Sequence, residues 1–413
     1  METPLNAAEP EIMHVDLNAC FAMTEQQANP LLRGKAVAIT NRGDTGWATI
    51  VAPSYEAKRV GIKVGTRVSD AKLKSPGLVV LETDPPKYHY VHGVIKRIFE
   101  DVCPSVTMKS IDEGVLDFRG TSQIRVQTLE EIGHKIKRRV AEELGDWMTV
   151  NIGISTNRFL AKTAASLNKP NGLETITPRN VEGVYMSMRI DDLTGINRRF
   201  KLRLALCGIH TPLEFLNAPE AVLSKQVFKS INGRHWYYRL RGYEVDDFET
   251  TMRQAGKQYV LADKTADRKK LLNELYRLCY FVNYRLAKYD QAAGSLYVAL
   301  RTTEGEKLQA SVNLGEPIHR VIDIQRVAKQ LLDRLPINAT VSRLDVVASK
   351  LRATRTSQQS LYETSVQEDD RIEAAIRGVN QKFGDFSLVP ANLMGNIGYV
   401  GEKVPFGSTR YIG

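Results

Sequence analysis

Three stretches of different hydrophobic periodicity follow one another along the 413 residues, and no single core can serve them all. Up to about Gly172, short apolar or β-branched runs alternate with amphipathic helical patterns. Glu11 to Phe21 (EIMHVDLNACF) reads as a buried strand that breaks at Asp16. KAVAIT reads as a strand, and ATIVAPSYEAKRVGI as a strand followed by a helix. VTMKSIDEGVLDF (106–118) reads as two strands meeting around Asp112-Glu113-Gly114. Leu129 to Leu144 is a charged amphipathic helix, WMTVNIGIS a strand, and Asn157 to Leu167 a helix stopped by Pro170 and Gly172. From Thr177 to Leu240 the pattern is wholly helical. Residues 258–350 then read strand, helix, strand, strand, helix, strand, with helices at 267–288 and 320–334, and a last helical stretch spans Asp369 to Lys382. The expectation is a multidomain α+β protein.

Charge distribution separates the last two parts. Between Thr251 and Arg355 there are 19 Lys and Arg against 10 Asp and Glu. From Thr356 to the end there are 5 against 7, so nearly all of the net +10 sits in one late segment. A basic domain of this kind points to nucleic acid more than to a solvated face. No window approaches the roughly 18 apolar residues of a membrane span, and METPLNAAEP lacks the basic start and apolar stretch of a signal peptide. Cys20, Cys103, Cys207 and Cys279 are scattered, with no close pair for zinc or redox work. The expectation is a cytoplasmic protein with reduced thiols and no membrane partner.

Asp16 closes one predicted strand, and Asp112-Glu113 lies between two others. Carboxylates at strand ends can converge on one sheet edge, and hard oxygen ligands suit Mg²⁺. Three of them can hold two ions, one activating an attacking hydroxyl and one neutralising a leaving phosphate. An acidic pair at a hairpin also serves as plain turn chemistry. From the pattern alone both readings stand.

Four segments settle on a family: HVDLNACFAMTEQQANPLLRGKAVAI, SYEAKRVGIKVGT, SIDEGVLDF and NIGISTNRFLAKTAASLNKPNG. In that order and spacing they closely resemble the Y-family translesion DNA polymerases (the DNA polymerase IV and UmuC group), over about residues 12–355. The resemblance implies a right-hand polymerase. Its palm would be 1–19 and 86–175, with inserted fingers at 20–85 and a helical thumb with a helix-hairpin-helix at 176–250. A β-α-β-β-α-β little finger that binds DNA would follow at 251–355, and 356–413 would be a tail. The implied activity is template-directed, low-fidelity addition of dNTPs to a primer by two-metal nucleotidyl transfer, in translesion synthesis and repair, by a monomer.

The motifs carry over residue by residue. Asp16, Asp112 and Glu113 match the catalytic metal-binding carboxylates, with the backbone carbonyl of Leu17 as a further ligand for the two Mg²⁺ ions. Phe21 matches the aromatic residue that closes under the incoming sugar and would clash with a ribose 2′-hydroxyl. Tyr55, Lys58 and Lys169 match the residues that grip the triphosphate. Lys58 stands where many relatives carry Arg, Asn18 where a second Asp is common, and Ala19 where many have an aromatic. Gly65 and Val51 lie in segments that form the pocket roof, and their small size leaves room for a bulky base. Gly195 and Ile196, in LTGINRRF, match a turn that offers backbone N–H groups to a DNA phosphate. Asn197 replaces the usual second glycine and tolerates a left-handed conformation. Lys257, Lys264, Arg301, Lys307 and Arg343 are candidate phosphate contacts. Gln358, Leu361 and Tyr362, in QQSLY, resemble the pentapeptide with which bacterial polymerases bind the sliding clamp.

Two other classes compete. A non-enzymatic recruiter of the same fold would lack the acidic ligands, which are all present here. A nucleotidyl cyclase also uses paired carboxylates and two metals, but needs neither a basic DNA-binding domain nor a helix-hairpin-helix.

Overall fold

The computed structural model describes residues 3–121, 127–248, 251–354, 364–383 and 387–388. The chain divides into two compact units, one running to Phe248 and one beginning at Glu249.

The first unit is built on strand β1 (Ile12–Leu17), whose continuous apolar character reflects burial at the centre of a sheet. Helix α1 (Cys20–Ala28) follows it directly. A small three-stranded sheet comes next, with β3 (Ile50–Pro53) antiparallel and β4 (Val79–Glu82) parallel to the middle strand β2 (Val37–Thr40). Helices α2 (Tyr55–Arg59) and α3 (Val68–Lys74) lie between β3 and β4. Ala38, Ala48, Ile50, Ala57, Ile62, Val68 and Leu78 give this part a core of its own.

The chain then returns to the first sheet. Helix α4 (Pro85–Val102) starts where the Asp84 side chain accepts the Lys87 N–H and Pro85 needs no hydrogen bond. After it come β5 (Val106–Met108), β6 (Glu113–Asp117), α5 (Leu129–Leu144), β7 (Val150–Ser155), α6 (Arg158–Ser166) and β8 (Leu173–Thr175). The sheet order is β5-β6-β1-β7-β8, with β1 antiparallel to both neighbours. Alternation along β1 separates the two faces. Met13, Val15 and Leu17 point into the main core with residues of α4 and α5. His14 and Asp16 point to the other face, where α6 packs. A Cβ on Gly153 would lie 2.0 Å from the Ala161 carbonyl oxygen, so only glycine lets α6 approach β7 this closely.

Helices α7 (Val181–Ser187), α8 (Arg198–Ala205), α9 (Pro212–Asn217), α10 (Glu220–Val222) and α11 (Asn232–Leu240) surround an aromatic-rich core of Tyr185, Phe215, Phe228 and Trp236.

The second unit alternates β9 (Gln254–Thr265), α12 (Arg268–Lys288), β10 (Gln291–Thr302), β11 (Lys307–Ile318), α13 (Val321–Asp333) and β12 (Val341–Ser349). This is the strand–helix order expected from the sequence. Its sheet runs β11-β10-β12-β9, all antiparallel. Leu296, Val298, Leu300, Leu344, Val346 and Ala348 face the two helices. The last helix among the described residues, α14, spans Thr364–Phe383 and is longer than the expected 369–382.

Candidate active site

The ladder registers bring Asp16 opposite Glu113 on one side and Asn151 on the other. Directly paired residues of antiparallel strands point to the same face, so these three side chains form a polar row, with His14 two residues back on that face. Asp112 joins them from the turn before β6, where its carbonyl oxygen accepts the Leu17 N–H at 2.8 Å. That bond fixes the Leu17 peptide beside the carboxylates. One ligand atom from each of His14, Asp16 and Glu113 can be chosen so that all lie within 4.8 Å of one another, a candidate metal site.

The two neighbouring acids at the start of β6, Asp112 in the turn and Glu113 on the strand, behave oppositely. Burial pushes the Asp112 carboxyl up to about 6, and the charges of Asp16 and Glu113 add to this against a hydrogen bond from Ser110. Glu113 also suffers from burial, but the hydrogen bond and attraction of His14, together with Lys162, outweigh it and lower its pKa to about 2. His14 Nε2 lies 3.2 Å and Lys162 Nζ 2.7 Å from the same oxygen, Oε2. The donor set of hard carboxylate oxygens in a partly buried, strongly anionic row fits divalent cations.

On the other flank Lys169 Nζ sits 2.8 Å from Asp16 Oδ1. Lys58 is close enough to feel it: burial first, then the positive charge of Lys169, lowers the Lys58 pKa against the pull of Asp16. Lys58 Nζ lies 4.5 Å from the Tyr55 ring centroid. The Tyr55 hydroxyl donates to Asn18 Oδ1 at 3.0 Å, and burial followed by the charge of Asp16 pushes its pKa up to about 12. Phe21 is buried and stacks on Tyr88, ring centroids 4.3 Å apart. The structure thus brings Asp16, Leu17, Asp112, Glu113, Tyr55, Lys58 and Lys169 to one place.

Reading the sequence alone missed His14, Lys162 and Asn151. The signal for His14 was available, because alternation puts it on the face of Asp16. The partners of Lys162 and Asn151 are remote in sequence.

At the expected DNA-phosphate turn the details differ. Gly195 is left-handed, φ 99°, but the Ile196 N–H donates to the Leu193 carbonyl at 3.1 Å, so the expected pair of presented amides is reduced. Asn197 is extended, not left-handed. Its side chain caps α8 by accepting the Arg199 and Phe200 N–H groups, which an N-cap asparagine does without a positive φ. In the second unit Lys307, Arg301 and Arg343 fall in one cross-strand row on the face away from α12 and α13. Lys264 is exposed. Lys257 does not join that row: it pairs with Val346 on the helix-facing side, its Nζ 4.7 Å from the Phe281 ring centroid. Gln358, Leu361 and Tyr362 lie outside the described residues.

A sheet carrying Asp16 and Glu113 on one face with Asp112 in the adjoining turn, a small inserted sheet, a helical subdomain and a β-α-β-β-α-β unit define a right-hand polymerase fold. Family models of the impB/mucB/samB family match residues 15–166, and of its C-terminal domain residues 252–361, together more than half of the chain. The chain belongs to this family, that of the Y-family DNA polymerases. DNA polymerase IV of Staphylococcus haemolyticus is 28% identical over 86% of this chain and 99% of its own length. DNA polymerase IV of Moorella thermoacetica is 29% identical over 91% and 94%. Among solved structures, a Y-family DNA polymerase chimera of Dbh and Dpo4 superposes with a TM-score of 0.71 at 23% identity, covering 83% of this chain and 99% of the chimera. The insertion ternary complex of Dbh DNA polymerase gives 0.57 over the same shares. Polymerases of this family depend on metal ions, in keeping with the acidic row. Among the described residues, no helix is long and apolar enough to cross a membrane.

Proposed function

We propose that this chain is a template-directed DNA polymerase that extends a primer with dNTPs at low fidelity, in translesion synthesis. The observation that carries the reading is the gathering of Asp16, Asp112 and Glu113 beside Lys58 and Lys169 at one end of β1. Asp16, Asp112, Glu113 and the Leu17 carbonyl would hold two Mg²⁺ ions. When bound, these supply the charge that activates the primer hydroxyl and neutralises the departing pyrophosphate.

The chain's own groups do the rest. Lys169, now paired with Asp16, exchanges that carboxylate for a triphosphate oxygen. Lys58 and the Tyr55 hydroxyl, set on the first turns of α2, grip the same group from the fingers. The Phe21 ring, braced by Tyr88, excludes a sugar 2′-hydroxyl. Val51 and Gly65 leave the roof of the pocket small. Gly195 faces a backbone phosphate, and the Lys307–Arg301–Arg343 row grips the duplex without reading sequence. The domain division expected from the sequence is retained in this reading. The enzyme acts as a cytoplasmic monomer, with Gln358, Leu361 and Tyr362 tethering it to the sliding clamp.

Primer extension with Mg²⁺ and each dNTP, comparing wild type with Asp112→Ala, tests the reading. A loss of about a thousandfold or more is expected, with primer–template affinity nearly unchanged. A wild type that extends no primer would indicate a recruiter, and nucleotide turnover without a primer would indicate a cyclase.

A further inference from the structure

Asn151 is wholly buried on β7, in the ladder position directly opposite Asp16. Its side chain is committed at both ends. Nδ2 donates to the Leu167 carbonyl at 3.0 Å, and Oδ1 accepts the Gly172 N–H at 3.2 Å. Leu167 and Gly172 are the two ends of the loop that carries Lys169. One amide side chain therefore closes the neck of that loop.

The fit leaves no slack. A Cβ on Gly172 would lie 2.7 Å from the Asn168 carbonyl oxygen and 3.0 Å from Asn151 Nδ2. Within the loop Asn168 and Asn171 both hold left-handed backbone angles, φ 45° and 60°. Such angles persist where surrounding bonds determine them. The tip is held separately, because Lys137 Nζ on α5 donates to the Asn171 carbonyl at 2.5 Å and to its Oδ1 at 3.2 Å.

We propose that Asn151 is a positioning residue: it clasps the 167–172 loop so that Lys169 reaches the anionic site beside Asp16, with Lys137 steadying the tip. The inference rests on the proposed role of Lys169 toward the triphosphate. Asn151 touches no substrate; it acts through Lys169. Opening the neck frees the loop, and the ammonium group then meets the nucleotide only part of the time. Ground-state binding of the nucleotide suffers more than the chemical step.

The test is a cycle of Asn151→Leu, which keeps the branching at Cγ and removes both bonds, and Lys169→Ala. Asn151→Leu is expected to raise the dNTP KM about tenfold, with kcat changed far less and primer–template affinity unaltered. In the Lys169→Ala background it should add nothing, because the two changes remove one interaction. Hydrogen exchange of the 167–173 backbone should quicken. Effects that multiply, or a fall in kcat at unchanged KM, overturn the proposal. If Lys169→Ala alone leaves the dNTP KM unchanged, the role of Lys169 fails, and the clasp is decided by exchange: unchanged protection in Asn151→Leu overturns it. Should Asn151→Leu not fold, Lys137→Met loosens the tip from the surface. A raised dNTP KM that vanishes with Lys169→Ala supports the proposal, and an unaffected KM overturns it.

Discussion

Lys162 and His14 meet the same oxygen of Glu113, Oε2, at 2.7 and 3.2 Å, so neither contact engages Oε1. Lys162 therefore neutralises the acid without taking that second oxygen from a metal. Replacing it by methionine removes one positive charge from the edge of the row. Lys162→Met is expected to bind Mn²⁺ about fivefold more tightly at low ionic strength, with the gain shrinking in salt. Titration followed by electron paramagnetic resonance measures this. Weaker binding would mean that Lys162 shapes the site rather than neutralising it.

Metal binding at Asp112 and Glu113, as proposed, would carry a pH signature. The Asp112 carboxyl titrates near 6 in the folded chain, above its ordinary value of 3.8. The folded state therefore holds the extra proton between these values, and Asp112 makes the metal-free protein less stable as pH rises through that window. A divalent cation binds the ionised form. Mg²⁺ or Mn²⁺ should accordingly raise the melting temperature clearly at pH 7.5 and little at pH 5. Glu113, depressed to about 2, stays ionised throughout and does not blur the effect. Equal shifts at both pH values would remove Asp112 from the ligand set.

Phe21 is buried against Tyr88, and the proposed function gives it a second role under the incoming sugar. Truncating so buried an aromatic costs about 3 kcal/mol or more, so the informative measurement is a ratio rather than a rate. Phe21→Ala should raise the relative incorporation of rNTPs over dNTPs about a hundredfold, while Phe21→Leu, which fills more of the space, should raise it less. An unchanged ratio in both would leave Phe21 as packing against Tyr88 alone.

The acids were legible because each interrupts a pattern. Asp16 ends an apolar run, and Asp112-Glu113 falls between two strand-like segments. His14 was passed over since it sits inside the same apolar run and reads as part of a buried strand. Lys162 lies in the middle of α6, and its carboxylate partner is 49 residues away; only the packing of α6 on the sheet brings them together. Helix α4 was missed despite clear signals: the Asp84 cap, Pro85 after it, and a stripe of Tyr88, Val91, Ile95, Ile98 and Val102 at helical spacing. Asn197 was misread because a residue that tolerates a left-handed turn is equally a good N-cap, and the sequence does not say which of the two a helix start will use. Charge alone groups Lys257 with the other candidate phosphate contacts, whereas strand parity puts it on the helix side.

That parity makes the last prediction. Lys307, Arg301 and Arg343 lie side by side across three strands. Like charges directly opposite one another destabilise a sheet, so an anion over the row offsets a standing repulsion. Arg343 is partly neutralised by Asp345 at 3.1 Å, which leaves Arg301 and Lys307 as the stronger phosphate partners. Each phosphate contact contributes roughly 0.9 to the slope of log affinity against log salt concentration. Arg301→Ala with Lys307→Ala should therefore weaken primer–template binding for every sequence alike and lower the slope by nearly 2. Lys257→Ala, on the helix-facing side over Phe281, should leave the slope unchanged. Fluorescence anisotropy between low and moderate salt reads both quantities. If Lys257→Ala lowers the slope as much as either member of the row, the duplex contacts the unit on its helical side and the assignment of the sheet face is wrong.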